Sequence, residues 1–100
     1  MKRIKENKSK KDKTWATFVK DRANYACEVC GQYSKFANAH HILPKPYAEL
    51  RWDVKNGICL CPRCHRLSKT AAHQNSIFFC LWLEKNKPET LAYLRRFLKL

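Results

Sequence analysis

A chain of 100 residues makes one domain rather than two, and a domain that small has a thin core that a bound metal or disulfides commonly reinforce. A formal net charge of +13 points to a polyanionic partner, with nucleic acid first among them. The Lys-rich start lacks an apolar signal-peptide segment, and the apolar stretch 77–83 is too short to span a membrane. The expectation is therefore a reducing, cytoplasmic location, where closely spaced Cys read as metal ligands before they read as disulfides.

Residues 1–13 carry Lys2, Arg3, Lys5, Lys8, Lys10, Lys11 and Lys13 against Glu6 and Asp12, with Ile4 the sole sizeable aliphatic residue after Met1. Such a segment buries too little to offset its ordering entropy, which predicts a disordered basic arm ahead of a single domain over 14–100. Thr14 is placed to cap a helix running to about Tyr25, with Trp15, Phe18 and Val19 at helical spacing. A knuckle follows, Cys27-Glu-Val-Cys30-Gly31, in which Gly31 can supply the positive φ of a tight turn.

Residues 39–43 read as a short strand that Pro44 and Pro46 stop. A basic loop over 44–55 leads to a second strand at 57–60. Pro62 suits the first position of a helix over about 62–72. Residues 76–85 and 89–100 show helical apolar spacing, separated by Asn86 and Pro88. These two helices are expected to pack over the metal-stapled core. The class is α+β, with a motif core at 27–70.

Cys27-x-x-Cys30 and Cys61-x-x-Cys64 are two pairs thirty residues apart. Each pair can present two thiolates from one turn, and four thiolates suit a tetrahedral zinc. A four-Cys site has no open position, so this zinc would be structural. Cys59 and Cys80 are left over and read as ordinary buried thiols. Adjacent His40 and His41 on a strand point to opposite faces, which predicts two separate roles for them. His65 directly follows Cys64 and is fixed by the same knuckle. His73, eight residues on, could approach the same site, though a core or surface role fits it better.

His41, fourteen intervening residues, Asn56, eight more and His65 together resemble the signature of the HNH endonucleases. The flanks 27–31, 39–44 and 56–65 are similar too, and the resemblance covers roughly residues 15–70. It implies a ββα-metal fold and metal-dependent cleavage of DNA. It also implies His41 as general base, His40 and His65 as ligands of a catalytic divalent cation, and Asn56 as the brace that orients the base. The cation would be Mg²⁺, Mn²⁺, Ni²⁺ or Zn²⁺, and two imidazoles lean away from hard Mg²⁺. Lys45, Arg51, Lys55, Arg63, Arg66 and Lys69 are the candidate phosphate contacts. Small stand-alone relatives of this kind occur in phages and mobile elements, and a protein partner could supply specificity. The competing reading is a non-catalytic zinc module that binds nucleic acid; it accounts for the charge and the cysteines but not for His40, His41, Asn56 and His65 in register.

Overall fold

The computed structural model describes residues 2–99. Its elements are helix α1 (Lys2–Arg22), strand β1 (Asn38–His41), strand β2 (Gly57–Leu60), a single π-helical turn (Arg63–Leu67), and helices α2 (Ser76–Asn86) and α3 (Pro88–Arg95). Short 3₁₀ turns at Ala48–Leu50 and Val54–Asn56 shape the long loop between the strands. Among the described residues no helix is long and apolar enough to cross a membrane.

β1 and β2 pair antiparallel, with His40 opposite Ile58 and His41 opposite Gly57. All four residues of β2 are buried, and strand alternation divides them between two clusters. Ile58 and Leu60 face Cys27, Cys61, Phe79 and Leu83. Cys59 faces Trp15, Val19 and Ala37. β2 is thus the spine of the molecule, covered by α2 on one side and α1 on the other. Its free edge is closed by the knuckle: the Cys59 amide donates to Glu28 Oε2 at 2.7 Å, and the Glu28 amide donates to the Cys59 carbonyl at 2.8 Å. An edge satisfied in this way is closed to further strand pairing.

Several elements differ in their bounds from those expected. The predicted break at Thr14 is absent, and α1 runs unbroken through residues expected to be a disordered arm. That stretch contains no Gly or Pro and is rich in Lys, a good helix former. It is also tied down where the helix meets the loop: Asp12 accepts hydrogen bonds from Arg51 and Trp52. At its other end α1 stops at Arg22, short of Tyr25, and Asn24 and Tyr25 both take positive φ on the way to the knuckle. Gly31 has φ of +80°, as the tight turn requires.

The helix expected over 62–72 is only the π turn. Ser68 takes an extended conformation, and the chain doubles back so that the amides of Ala72 and His73 donate to the carbonyls of Cys64 and His65. α2 packs its Phe79 and Leu83 onto the cluster that contains Cys27 and Cys61, as expected. α3 begins with Pro88 at its first turn and ends at Arg95, sooner than the apolar spacing suggested. It leans on the 54–56 turn, where the Tyr93 hydroxyl donates to Asp53. Cys59 is buried, but Cys80 is exposed on α2 rather than in the core.

Candidate metal centres and the histidine cleft

The two CxxC pairs meet. The Sγ atoms of Cys27, Cys30, Cys61 and Cys64 all lie within 4.8 Å of one another, and those of Cys30 and Cys61 are 3.7 Å apart. Four sulfurs at about 2.3 Å from one tetrahedral ion would stand about 3.8 Å apart, so the donor set fits a metal of that kind. Burial raises the Cys27 thiol, but amide hydrogen bonds around the knuckle outweigh it and hold the group at about 7. Cys64 is pushed up, first by burial and then by Cys27 and Cys61. Four thiols this crowded repel as thiolates unless a cation sits among them.

The second cluster comes from the strand, the π turn and the doubled-back segment. β1 sends His40 to the α2 side of the sheet, where its ring meets those of Phe79, His65 and His73 edge to face. His65 is 9% exposed and is anchored by its backbone amide, which donates a hydrogen bond to the Cys61 carbonyl at 2.9 Å. His73 brings its Nε2 to 3.0 Å from that of His65. Ring nitrogens of His40, His65 and His73 all lie within 4.8 Å of one another. Imidazole nitrogens sharing an ion at about 2.0–2.1 Å stand roughly 3 Å apart, so these three also fit a cation. Burial lowers His40 to about 3, with His65 and His73 pushing the same way. Burial also takes His65 to about 4, and His73 is lowered too. Neutral imidazole is the form that ligates metal.

His73 belongs to this cluster, the lesser of the two alternatives that the sequence left for it. The only signal for it was its status as the fourth His. Helical extrapolation set it eight residues along an axis, whereas the chain in fact turns back at Ser68.

His41, on the opposite face of β1, stacks flat on Trp15, with ring centroids 3.8 Å apart and planes 7° from parallel. Its Nε2 lies 2.9 Å from the Arg51 carbonyl oxygen. Burial lowers its pKa, opposed by that hydrogen bond. Asn56 is fully buried. Its Oδ1 accepts from the Leu43 amide at 2.8 Å, and its Nδ2 donates to the carbonyls of Leu43 (2.9 Å) and Leu50 (3.2 Å). That side chain closes the 43–56 loop at both ends and fixes the carbonyl next to the one that holds His41.

Despite leaving β1 on opposite faces, His40 and His41 open onto one cleft of about 420 Å³, whose lining also includes Asp12, Trp15, Lys45, His65, Arg66 and His73. Of the six predicted phosphate contacts, Lys45 and Arg66 stand at this cleft and both are exposed. Arg51 is engaged by Asp12 in a two-pronged pair at 2.8 and 3.0 Å. Lys55 lies over Tyr93 in a separate hollow, and Arg63 lines one beside Cys30, Cys61 and Cys64. Lys69 is exposed but outside the cleft lining. Of the six, the structure thus brings two to the cleft and leaves four outside its lining.

The chain is 42% identical over 48 residues to anaredoxin of Nostoc sp. (strain PCC 7120), a match covering 47% of this chain and 60% of that relative. No solved structure matches the chain. The sequence pattern of the HNH endonucleases matches residues 27–83, a span that holds both CxxC pairs, all four histidines and Asn56, and on that match the chain belongs to the HNH endonuclease family.

Proposed function

We propose that this protein is a metal-dependent endonuclease that hydrolyses phosphodiester bonds in DNA. The observation that carries the reading is four imidazoles on one cleft in two distinct states of engagement: three gathered ring to ring and a fourth held apart by a backbone carbonyl. With Nε2–H of His41 donating to Arg51, the Nδ1 lone pair is left to take a proton from an attacking water. Its lowered pKa keeps the ring neutral, as a base must be.

His40, His65 and His73 would hold a divalent cation, and Cys27, Cys30, Cys61 and Cys64 a structural zinc. The cation, when bound, supplies positive charge against the charge that builds on the phosphate and the leaving 3′ oxygen. Three imidazoles without a carboxylate favour Mn²⁺, Ni²⁺ or Zn²⁺ over Mg²⁺. Lys45 and Arg66 would seat the DNA backbone without reading its sequence. Asn56 keeps the loop carbonyls where His41 needs them. No base-reading module is recognisable in these residues, so target choice would rest on DNA shape or on a protein partner, in a cytoplasmic setting.

The test is cleavage of supercoiled plasmid with each of Mg²⁺, Mn²⁺, Ni²⁺ and Zn²⁺, beside a His41→Ala variant of unchanged zinc content. The expected loss in the variant is on the order of 10²–10⁴-fold in rate. If both proteins are inert with every metal and DNA form, the chain is a non-catalytic nucleic-acid-binding zinc module. If cleavage survives the substitution, the base is another group.

A further inference from the structure

We infer that α1 positions His41, with Trp15 and Asp12 as the residues responsible; the inference builds on the reading of His41 as the base. Both residues lie outside the span matched by the family, 27–83. One turn of α1 acts on His41 by two routes. The direct route is the Trp15 indole, buried and stacked on the imidazole at 3.8 Å. A flat surface against the ring leaves it few alternative orientations about its side-chain bonds.

The indirect route runs through the carbonyl that accepts from His41 Nε2. That carbonyl belongs to Arg51, and α1 grips Arg51 and the two residues after it. Asp12 accepts from Arg51 Nε (3.0 Å) and from a terminal guanidinium nitrogen (2.8 Å). It also accepts from Trp52 Nε1 at 2.8 Å. Trp15 Nε1 donates to the Asp53 carbonyl at 2.9 Å. Residues 12 and 15 are one turn apart and share a helix face, so a single rigid element fixes both the plane of the imidazole and the atom that sets its tautomer.

The sheet register makes room for this arrangement. His41 lies opposite Gly57, and a Cβ at that position would meet Trp15 Cζ2 at 2.7 Å and Val19 Cγ2 at 2.5 Å. The glycine is therefore the residue that lets the indole lie beside the base. Gly57 has φ of −125°, an extended value open to any residue, so space and not backbone freedom is what it provides.

The experiment compares wild type with Trp15→Ala, Trp15→Phe, Asp12→Ala and Asp12→Asn, all of verified zinc content and helicity. Plasmid cleavage under saturating and limiting DNA separates kcat from KM. Positioning predicts that Trp15→Ala and Asp12→Ala each lower kcat by roughly 10- to 100-fold with KM nearly unchanged, and that Trp15→Phe, which keeps a flat ring, recovers most of the loss. In the same samples NMR reads the His41 ring protons, which a stacked indole shifts upfield; Trp15→Ala should abolish that shift. Asp12 is part-exposed, so its variants remain informative if Trp15→Ala fails to fold. Variants within twofold of wild-type kcat, or a His41 signal that Trp15→Ala leaves unmoved, would overturn the inference. A wild type that cleaves nothing would instead defeat the nuclease reading, while the NMR signal still decides whether α1 orders the ring.

Discussion

His40 and His65 show how a side chain's surroundings decide its chemistry. An imidazole in water titrates at about 6.5, but burial first, and then the neighbouring imidazoles, hold His40 at about 3 and His65 at about 4. Folded-state values below the unfolded one mean that unfolding takes up protons between the two. The stability these groups contribute is complete above about pH 6.5 and is lost as pH falls toward 4 and then 3. With the His cluster free of metal and the four-Cys site loaded, the unfolding free energy should fall from pH 6.5 to 4.5. The slope should approach about 1.4 kcal/mol per pH unit for each proton taken up. Denaturant midpoints measured across that range check this, and a His40→Asn variant should show a flatter slope. A pH-independent midpoint would mean that these rings are more solvated than their packing indicates. A cation bound by the same nitrogens requires the neutral ring too, so loading it should steepen the dependence without reversing its sign.

At the scale of elements, what could be read from the residues were the pieces whose pattern is local. Both strands, the CxxC pairs, the positive φ of Gly31 and α2 follow from alternation, spacing and turn chemistry. What could not be read were the places where distant contacts decide. The N-terminal half of α1 looked like a solvated basic arm because its anchor, Asp12 against Arg51 and Trp52, spans about forty residues of sequence. The π turn and return at Ser68 override the helical periodicity that hid His73. Gly57 starts the strand expected at 57–60, yet its place as a glycine is set by the packing of α1 on β2. Gly57→Ala should therefore act on an element rather than on a strand. We expect about 1–3 kcal/mol of destabilisation from overpacking, together with loss of the Trp15–His41 stack. Thermal melts and the His41 ring signals measure the two effects separately. A Gly57→Ala protein with wild-type stability and an intact stack would show that α1 yields easily to one methyl group.

For the whole molecule, the proposed reading divides the labour between two clusters, four cysteines that would hold the fold and three histidines that would serve its chemistry. The four-Cys cluster joins the knuckle after α1 to the start of the π turn, and Cys27 and Cys61 are themselves core residues beside Ile58, Leu60, Phe79 and Leu83. An ion held there would reinforce the Glu28–Cys59 hydrogen bonds that join the knuckle to β2, and its binding free energy would be folding free energy. The three-His cluster sits at the edge of an open cleft and has exchangeable surroundings, since His73 is exposed. Removal of metal should therefore occur in two stages. A mild chelator at neutral pH should empty the His site, abolishing cleavage while leaving the circular dichroism spectrum unchanged, and added Mn²⁺, Ni²⁺ or Zn²⁺ should restore activity. A stronger thiol-competing chelator, or Cys61→Ser, should release the second ion and collapse the tertiary structure, because the β2 core loses the bond that joins its two ends. Zinc release followed with a chromophoric chelator, alongside dichroism and plasmid cleavage, separates the stages. If activity and fold are lost together at the first equivalent released, one ion serves both purposes, and the division between structural and hydrolytic sites fails.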